Sequence, residues 1–320
     1  MKNKFINKEI YYSVVLLCTP LIVLFGIYFY SNQEDYGKSS LLSELEGQAA
    51  SVIQINEDTT SPFDEINIEA KSAVVKDLNS GEILYSKNAT TPMPLASITK
   101  VVTALTVLEN VDNLDESVYI TASALMTDGN TFLSLGEIFR IRDLLDYVLI
   151  TSSNHGTEAL VENIENKLGI DFVSEMNELS RSIGMKNSHF LNATGLDNGP
   201  NIAGSFGTAL DVATLFEFAL ENQPEIFETT KDIEFNKLSQ SGILHRQSNT
   251  NQIIPLLKNM LASKTGFTAL AGGNLAVIVD PGLNRPIVIV VLSSTREGRF
   301  EDVLKLSGAL YDYFDYQASK

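Results

Sequence analysis

The chain has 320 residues, of which 44% are hydrophobic and 20% are charged, so it is long and apolar enough to bury a core. Asp and Glu number 40 against 23 Lys and Arg, giving a formal net charge of -17, and this excess of negative charge argues against nucleic acid as a partner. One cysteine and three histidines exclude a disulfide framework and a Cys-rich zinc site, and we expect neither a metal nor another cofactor.

The first predicted element is a membrane anchor at residues 10–30, which are almost wholly apolar. A helix of about 20 such residues spans the hydrocarbon core of a bilayer. Lysines precede the stretch and acidic residues follow it, a bias that places the N-terminus in the cytoplasm. A cleaved signal peptide is the alternative, but no A-x-A-like cleavage site precedes Ser31. We therefore predict a single-pass protein of the cell membrane, with residues 1–31 as cytoplasmic tip and anchor and the rest on the extracytoplasmic side.

A polar tether is predicted at residues 32–68, where Ser, Gln, Asp, Glu and Thr dominate. One folded domain is predicted at residues 69–318. Near its start, apolar runs at 73–75 and 83–85 flank a group of turn residues, which is typical of a hairpin.

Helices are predicted through the middle of the domain, where apolar residues recur at spacings of three and four. They begin near Ile98 and Ile141 and continue over 157–166, 170–183 and 208–221. Apolar strand-like runs return at 274–279 and 286–292, and an amphipathic helix follows at 300–316. This order predicts an α+β fold, in which both ends of the domain build one sheet and a helical subdomain is inserted between them.

The first candidate motif is the run Ser97-Ile98-Thr99-Lys100, at the start of the first amphipathic helix. Residues three apart share a helical face, so the two polar side chains can meet. A lysine amine in that position can take the serine hydroxyl proton and so make the serine a nucleophile. An N-cap serine followed by a solvated lysine is the alternative, and this motif alone does not decide between the two.

Two more motifs follow along the chain. Ser152 and Asn154 place a hydroxyl and an amide directly after an apolar helix, where they can relay a proton or simply form a cap or turn. Lys264, Thr265 and Gly266 precede an apolar strand; a lysine and a hydroxyl can attract a carboxylate there, and a glycine lets a substrate backbone approach closely. Each motif is weak alone, but their order is that of penicillin-binding proteins and class A β-lactamases.

On these motifs the chain resembles the D-alanyl-D-alanine carboxypeptidase family of low-molecular-mass penicillin-binding proteins, serine peptidase family S11. The resemblance covers roughly residues 69–312 and includes stretches at 94–100, 144–150, 190–196 and 249–251. It implies a penicillin-binding-protein/β-lactamase-like fold. It also implies DD-carboxypeptidase activity on peptidoglycan stem peptides ending in D-Ala-D-Ala, with β-lactams as covalent inhibitors.

The resemblance assigns a role to each motif residue. Ser97 resembles the acylated nucleophile and Lys100 its general base, while Ser152 and Asn154 resemble the pair that assists proton transfer and substrate positioning. The predicted substrate-binding residues are Lys264, Thr265, Gly266, Phe267, Thr268 and Arg299. Among them, Arg299 resembles the family arginine that pairs with the terminal carboxylate, and the backbone N–H groups of Ser97 and Phe267 are implied to form the oxyanion hole.

The second motif departs from the family's usual pattern at Ser153 and His155, a change expected to alter the shape or polarity of the site. We assign His155 no catalytic role, because Lys100 already supplies a base. His189 and His245 lie in no recognisable Ser-His-Asp context and are interpreted as surface or satisfied loop residues.

Other activities on the same fold remain open at this point. A DD-endopeptidase that cuts peptidoglycan cross-links would use the same motifs, although Arg299 favours a substrate with a charged end. A catalytically silent cell-wall binding protein is disfavoured, because the motif residues are intact. A β-lactamase is disfavoured too, since no Glu-x-x-Leu-Asn segment lies between the second and third motifs.

Overall fold

The computed structural model of the protein describes residues 61–282 and 284–318. The predicted anchor at 10–30 and most of the predicted tether lie outside these residues, so both stay predictions. Within the described ranges, no helix combines the length and the apolar character needed to cross a bilayer.

Strands and helices are interspersed along the described chain. The strands are β1 Ser72–Asp77, β2 Ile83–Lys87, β3 Met93–Pro94, β4 Ser117–Tyr119, β5 Ile138–Arg140, β6 His189–Phe190, β7 Ser205–Gly207, β8 Glu234–Leu238, β9 Leu244–Ser248, β10 Met260–Thr268, β11 Gly272–Val279 and β12 Ile287–Ser294. The helices are α1 Thr99–Asn110, α2 Ile141–Thr151, α3 Asn154–Leu168, α4 Phe172–Ser182, α5 Ala209–Asn222, α6 Glu225–Glu228 and α7 Gly298–Ala318. The helices predicted from apolar spacing therefore all occur, within a few residues of their expected ends.

One antiparallel sheet joins the two ends of the folded chain in the order β10-β11-β12-β1-β2. The predicted hairpin is β1–β2, and β1 pairs on its other side with β12. Strand β10 stands at one edge of this sheet, so one of its sides has no strand partner there. The expectation of a sheet built from both chain ends, with helices inserted between them, is confirmed.

Both faces of this sheet are covered. Alternate residues of β11 enter two different cores: Leu275 and Val277 pack with α7, whereas Ala276 and Ile278 pack with the inserted helices. Strands buried on both faces need apolar residues at every position. That requirement explains why β11 and β12 stand out in the sequence as continuous apolar runs.

The packed structure begins earlier than the predicted boundary at residue 69. Phe63 and Ile68, both assigned to the tether, are buried in the core beneath α7. The Phe63 ring lies 5.9 Å from that of Tyr85 and 6.1 Å from that of Tyr313. Phe63 and Ile68 are five positions apart, a spacing that fits neither the helical nor the strand period, so apolar periodicity does not predict this contact.

Candidate active site

The turn that carries Ser97 is held tightly against the sheet. It follows β3, and Ala96 in it has a φ of 49°, a left-handed conformation that costs a non-glycine residue energy. The Asn274 side chain on β11 donates to the carbonyls of Pro94 and Leu95, at 2.9 Å each. A conformation that is unfavourable by itself is thus imposed by the packing around it.

Gly266 on the edge strand β10 packs closely against this turn. A Cβ at that position would lie 2.8 Å from the carbonyl oxygen of Leu95 and 3.2 Å from the amide nitrogen of Ser97. Real side chains do not fit at such distances, so the glycine lets the strand approach Ser97. The third motif therefore needs its glycine for packing against the first motif.

Lys100 lies on the first turn of α1 and is fully buried. Its Nζ is 3.0 Å from Ser97 Oγ, 2.7 Å from Asn154 Oδ1 and 2.6 Å from the carbonyl oxygen of Thr194. Burial lowers the pKa of the Lys100 amine to about 7, and the charge of Glu158 opposes part of that shift. A neutral amine is therefore available at neutral pH beside the serine hydroxyl, which is the state a general base requires.

The second motif occupies the connection between α2 and α3. Ser152 ends α2 in a left-handed conformation with a φ of 59°. Ser153 caps α3, its Oγ accepting a hydrogen bond of 3.0 Å from the Gly156 amide. This chain reversal directs the side chains of Ser152 and Asn154 to the cavity that Ser97 also lines.

The orientation of the Asn154 amide is fixed from its other end. Its Nδ2 donates to the carbonyl oxygen of Asp128 at 2.8 Å. The oxygen of the same amide then faces Lys100 as a hydrogen-bond acceptor. The loop containing Asp128 therefore determines which atom of Asn154 meets the lysine.

Lys264 of the third motif is buried beside the second motif. Its Nζ lies 2.8 Å from Ser152 Oγ and 2.9 Å from the Thr265 carbonyl oxygen. Burial and the charges of Lys100 and Arg299 hold the pKa of the Lys264 amine well below its ordinary value. The neighbouring Thr265 hydroxyl donates to Thr250 Oγ1 at 2.7 Å.

One cavity of about 360 Å³ collects most of the predicted site residues. It is lined by Ser97, Ser152, Asn154, Leu196, Thr250, Gln252, Thr265, Gly266, Phe267, Arg296, Glu297 and Arg299. Lys100 and Lys264 lie beneath its wall, bonded to the two serines. Residues more than 160 positions apart in the sequence thus meet in a volume large enough for a short peptide end.

Thr268 is placed differently from what the resemblance implied. Its hydroxyl donates to Asp197 Oδ1 at 2.8 Å and accepts a bond of 3.1 Å from the Ala271 amide. The side chain is not among those that line the cavity. The structure therefore gives Thr268 a local role in the turn between β10 and β11.

Arg299 lines the cavity while holding the edge strand. It is 8% exposed, and its Nη1 donates to the Gly266 carbonyl oxygen at 2.7 Å. Its buried Nε has no hydrogen-bond partner in the described part of the chain. Burial lowers the pKa of the guanidinium to about 10, and the nearby charge of Arg296 contributes.

His155, the unusual residue of the second motif, is buried beside the loop that contains Asp128 and does not line the cavity. Burial lowers the pKa of its imidazole, and a hydrogen bond with the Thr127 backbone opposes that shift. The substitution therefore affects the support of the loop rather than the polarity of the cavity.

His245, interpreted as a surface or loop residue, is in fact a buried strand residue, and its Nε2 lies 2.6 Å from Glu137 Oε1.

Several contributors to the site were missed by sequence reasoning. The Thr194 carbonyl, the Asp128 carbonyl and the side chains of Thr250 and Asn274 all contact or fix a motif residue. The stretches at 190–196 and 249–251 resemble the family in sequence, but no role in the site was predicted for their residues. Backbone carbonyls have no residue signature, so only the folded chain reveals them.

Comparison with known proteins agrees with this geometry. Residues 56–295 match the family described as D-alanyl-D-alanine carboxypeptidase, peptidase family S11. A D-alanyl-D-alanine carboxypeptidase DacF of Bacillus subtilis is 28% identical over 78% of this chain and 64% of its own length. A D-alanyl-D-alanine endopeptidase of Pseudomonas aeruginosa is 32% identical over 70% of this chain and 71% of its own length.

Solved structures give the same picture of the fold. Penicillin-binding protein D2 of Listeria monocytogenes, in its ampicillin-bound form, superposes with a TM-score of 0.65 at 28% identity, over 77% of this chain and 98% of that one. The chain spans between 61% and 72% of the lengths of the curated relatives that it matches.

Proposed function

Because this chain belongs to the D-alanyl-D-alanine carboxypeptidase family of serine peptidases, we propose that it is a DD-carboxypeptidase. It removes the terminal D-Ala from peptidoglycan stem peptides through an acyl-enzyme on Ser97. The observation that carries this proposal is the distance of 3.0 Å between Ser97 Oγ and a buried Lys100 amine whose pKa is about 7.

The chemistry follows from those two groups. Ser97 Oγ attacks the carbonyl carbon of the penultimate D-Ala while its proton passes to the neutral Lys100 amine. The backbone N–H groups of Ser97 and Phe267 stabilise the negative charge that develops on the carbonyl oxygen, a contribution of about 3 kcal/mol per donor in comparable sites. The peptide C–N bond then breaks, the leaving amine takes up a proton, and an ester remains on Ser97.

The proton that Lys100 takes up in acylation passes to the leaving amine by way of Ser152, which is hydrogen-bonded to Lys264 at the cavity wall, so Lys100 is neutral again. Deacylation then completes the cycle. Water attacks the ester and gives a proton to Lys100, which returns it to Ser97 Oγ as the shortened stem peptide leaves. Arg299 and Thr265 supply the cation and the hydroxyl that receive the terminal carboxylate.

β-Lactams act as covalent inhibitors in this proposal. Their strained amide presents the same carbonyl to Ser97, and the solved relative from Listeria monocytogenes carries ampicillin. A DD-endopeptidase activity is the second candidate, and the name of the Pseudomonas aeruginosa relative favours it. Both activities share the acylation step and differ in the leaving group.

The site of action rests on the sequence. The apolar residues 10–30 and the charges around them support a single-pass anchor, with the catalytic domain on the extracytoplasmic side where peptidoglycan lies. Deleting residues 1–31 should move the protein from the membrane to the soluble fraction of lysed cells. Retention of the deletion variant in the membrane fraction would contradict the anchor.

The activity is tested with the full-length chain in detergent, incubated separately with a fluorescent penicillin, a D-Ala-D-Ala pentapeptide and a cross-linked stem-peptide dimer. Labelling of Ser97 together with release of free D-Ala supports the carboxypeptidase. Labelling with cleavage of the dimer alone would move the assignment to an endopeptidase. An unlabelled wild-type protein, indistinguishable from Ser97→Ala, would contradict the acyl-enzyme mechanism.

A further inference from the structure

We propose that Arg296 is a specificity-determining residue that binds the substrate's terminal carboxylate together with Arg299. This inference rests on the proposed function and adds a second cation to it. Arg296 lines the same cavity as Ser97 and Arg299.

Arg299 has limited capacity for a ligand. Its Nη1 is already bonded to the Gly266 carbonyl oxygen, and only 8% of the residue is exposed. The strongest arginine–carboxylate pairs use two parallel N–H donors. One Arg299 donor is occupied by the edge strand, and its Nε, which lacks a partner among the described residues, is buried, so only part of the guanidinium is available to a carboxylate in the cavity.

Arg296 is held at the mouth of the same cavity without using its donors. Its guanidinium carbon lies 4.2 Å from the centre of the Phe267 ring, a cation–π contact that leaves the N–H groups free. Among residues 61–282 and 284–318, Arg296 forms no ion pair. Phe267 is 40% exposed, so it serves as a platform at the entrance.

The excess of positive charge around Arg299 favours the binding of an anion. Arg299 lies near both Arg296 and the buried Lys264, and the like charge of Arg296 disfavours the protonated form of Arg299. Glu297 also lines the cavity and is the neighbouring negative charge that offsets part of this excess. A carboxylate placed between the two arginines would relieve their repulsion. The C-terminus of a D-Ala-D-Ala peptide is such a group.

The test compares a penicillin with its neutral methyl ester, which differ only in the carboxylate. Acylation rates of the full-length protein are measured for wild type, Arg296→Gln and Arg296→Lys. The matched control is Arg142→Gln, which removes an exposed arginine that pairs with Asp115 outside the cavity. The readout is the ratio of the acid's rate to the ester's rate.

We expect Arg296→Gln to lower this ratio about tenfold, the size of one charge-assisted hydrogen bond. Arg296→Lys should lower it less, because the charge remains while the planar fork is lost. Arg142→Gln should leave the ratio as in wild type. Phe267→Leu, which keeps the backbone N–H but removes the platform, should lower it in the same direction as Arg296→Lys.

Two results would overturn the inference alone. An unchanged ratio in Arg296→Gln would make Arg296 a solvated cation. An equal loss with acid and ester would show that Arg296 only supports the Phe267 segment. Absence of acylation by both compounds in the wild type would overturn the proposed function and this inference with it.

Discussion

Two buried lysines lie under the same cavity, one on helix α1 and one on strand β10, and they differ in the charges around them. Lys100 contacts only neutral oxygens, and besides Lys264 it has the carboxylate of Glu158 nearby, which opposes the effect of burial. Lys264 also contacts neutral oxygens, but its charged neighbours are the cations Lys100 and Arg299.

The difference separates two kinds of chemistry. A lysine whose pKa is about 7 exchanges its proton at neutral pH and suits a general base. When a lysine is surrounded by cations, its protonated form is disfavoured, and an incoming anion stabilises that form. Although both lysines are buried, the surroundings of Lys100 on the helix suit proton transfer, whereas those of Lys264 on the strand suit carboxylate recognition.

The largest expected effect comes from removing the base. Lys100→Met keeps the length of the side chain and loses the amine, so acylation by a fluorescent penicillin should slow about 10³-fold. The rate at saturating penicillin should fall while the apparent affinity changes little. A loss confined to affinity would contradict the division of roles between the two lysines, and thermal melting checks that the variant is folded.

Removing the other lysine should act through binding. Lys264→Gln retains a hydrogen-bond donor for Ser152 but cannot become charged. The acylation rate at low penicillin concentration should fall about 10- to 100-fold, which corresponds to a loss of about 1.4 to 2.7 kcal/mol from a charged hydrogen bond. Much of this loss should disappear when the methyl ester replaces the acid, because the ester has no charge to recognise.

The pH dependence of acylation should follow Lys100. Since burial lowers its pKa to about 7, the amine is protonated and inactive below that value and neutral above it. The rate should therefore rise about tenfold per pH unit below neutrality and flatten above about pH 7. A stopped-flow profile from pH 5 to 9 measures this, and a rate that falls as pH rises through 7 would exclude Lys100 as the base.

The smallest effect is expected from removing the carboxylate of Glu158, which lies near Lys100. Glu158→Gln removes the carboxylate that favours protonated Lys100, so the pH profile of acylation should move to lower pH. At pH 6 the rate should rise about twofold to fivefold, as expected for losing one partly screened charge. Glu162→Gln, one turn further along α3, is the matched control and should shift the profile less.

The local features of the fold were predictable from the sequence. The helices containing Lys100 and leading to Ser152 follow from apolar spacing, and the two-sided burial of β11 and β12 gives continuous apolar runs. The β8–β9 hairpin was missed, because charged and polar residues such as those of Glu234–Leu238 form it and only Phe235 and His245 are well buried. Its apolar pattern is too short to predict two strands.

The sequence by itself determined that the Ser97 and Lys100 side chains meet, since the two residues are three apart and one helical turn brings them together. Only the tertiary structure decided their partners: the Thr194 carbonyl is 94 positions from Lys100, and Ser152 is 112 positions from Lys264. It also decided that the Thr268 hydroxyl bonds Asp197 and that Arg296 stacks on Phe267. Spacing along a helix is fixed by local geometry, whereas contacts between distant segments depend on how the sheet and the inserted helices pack.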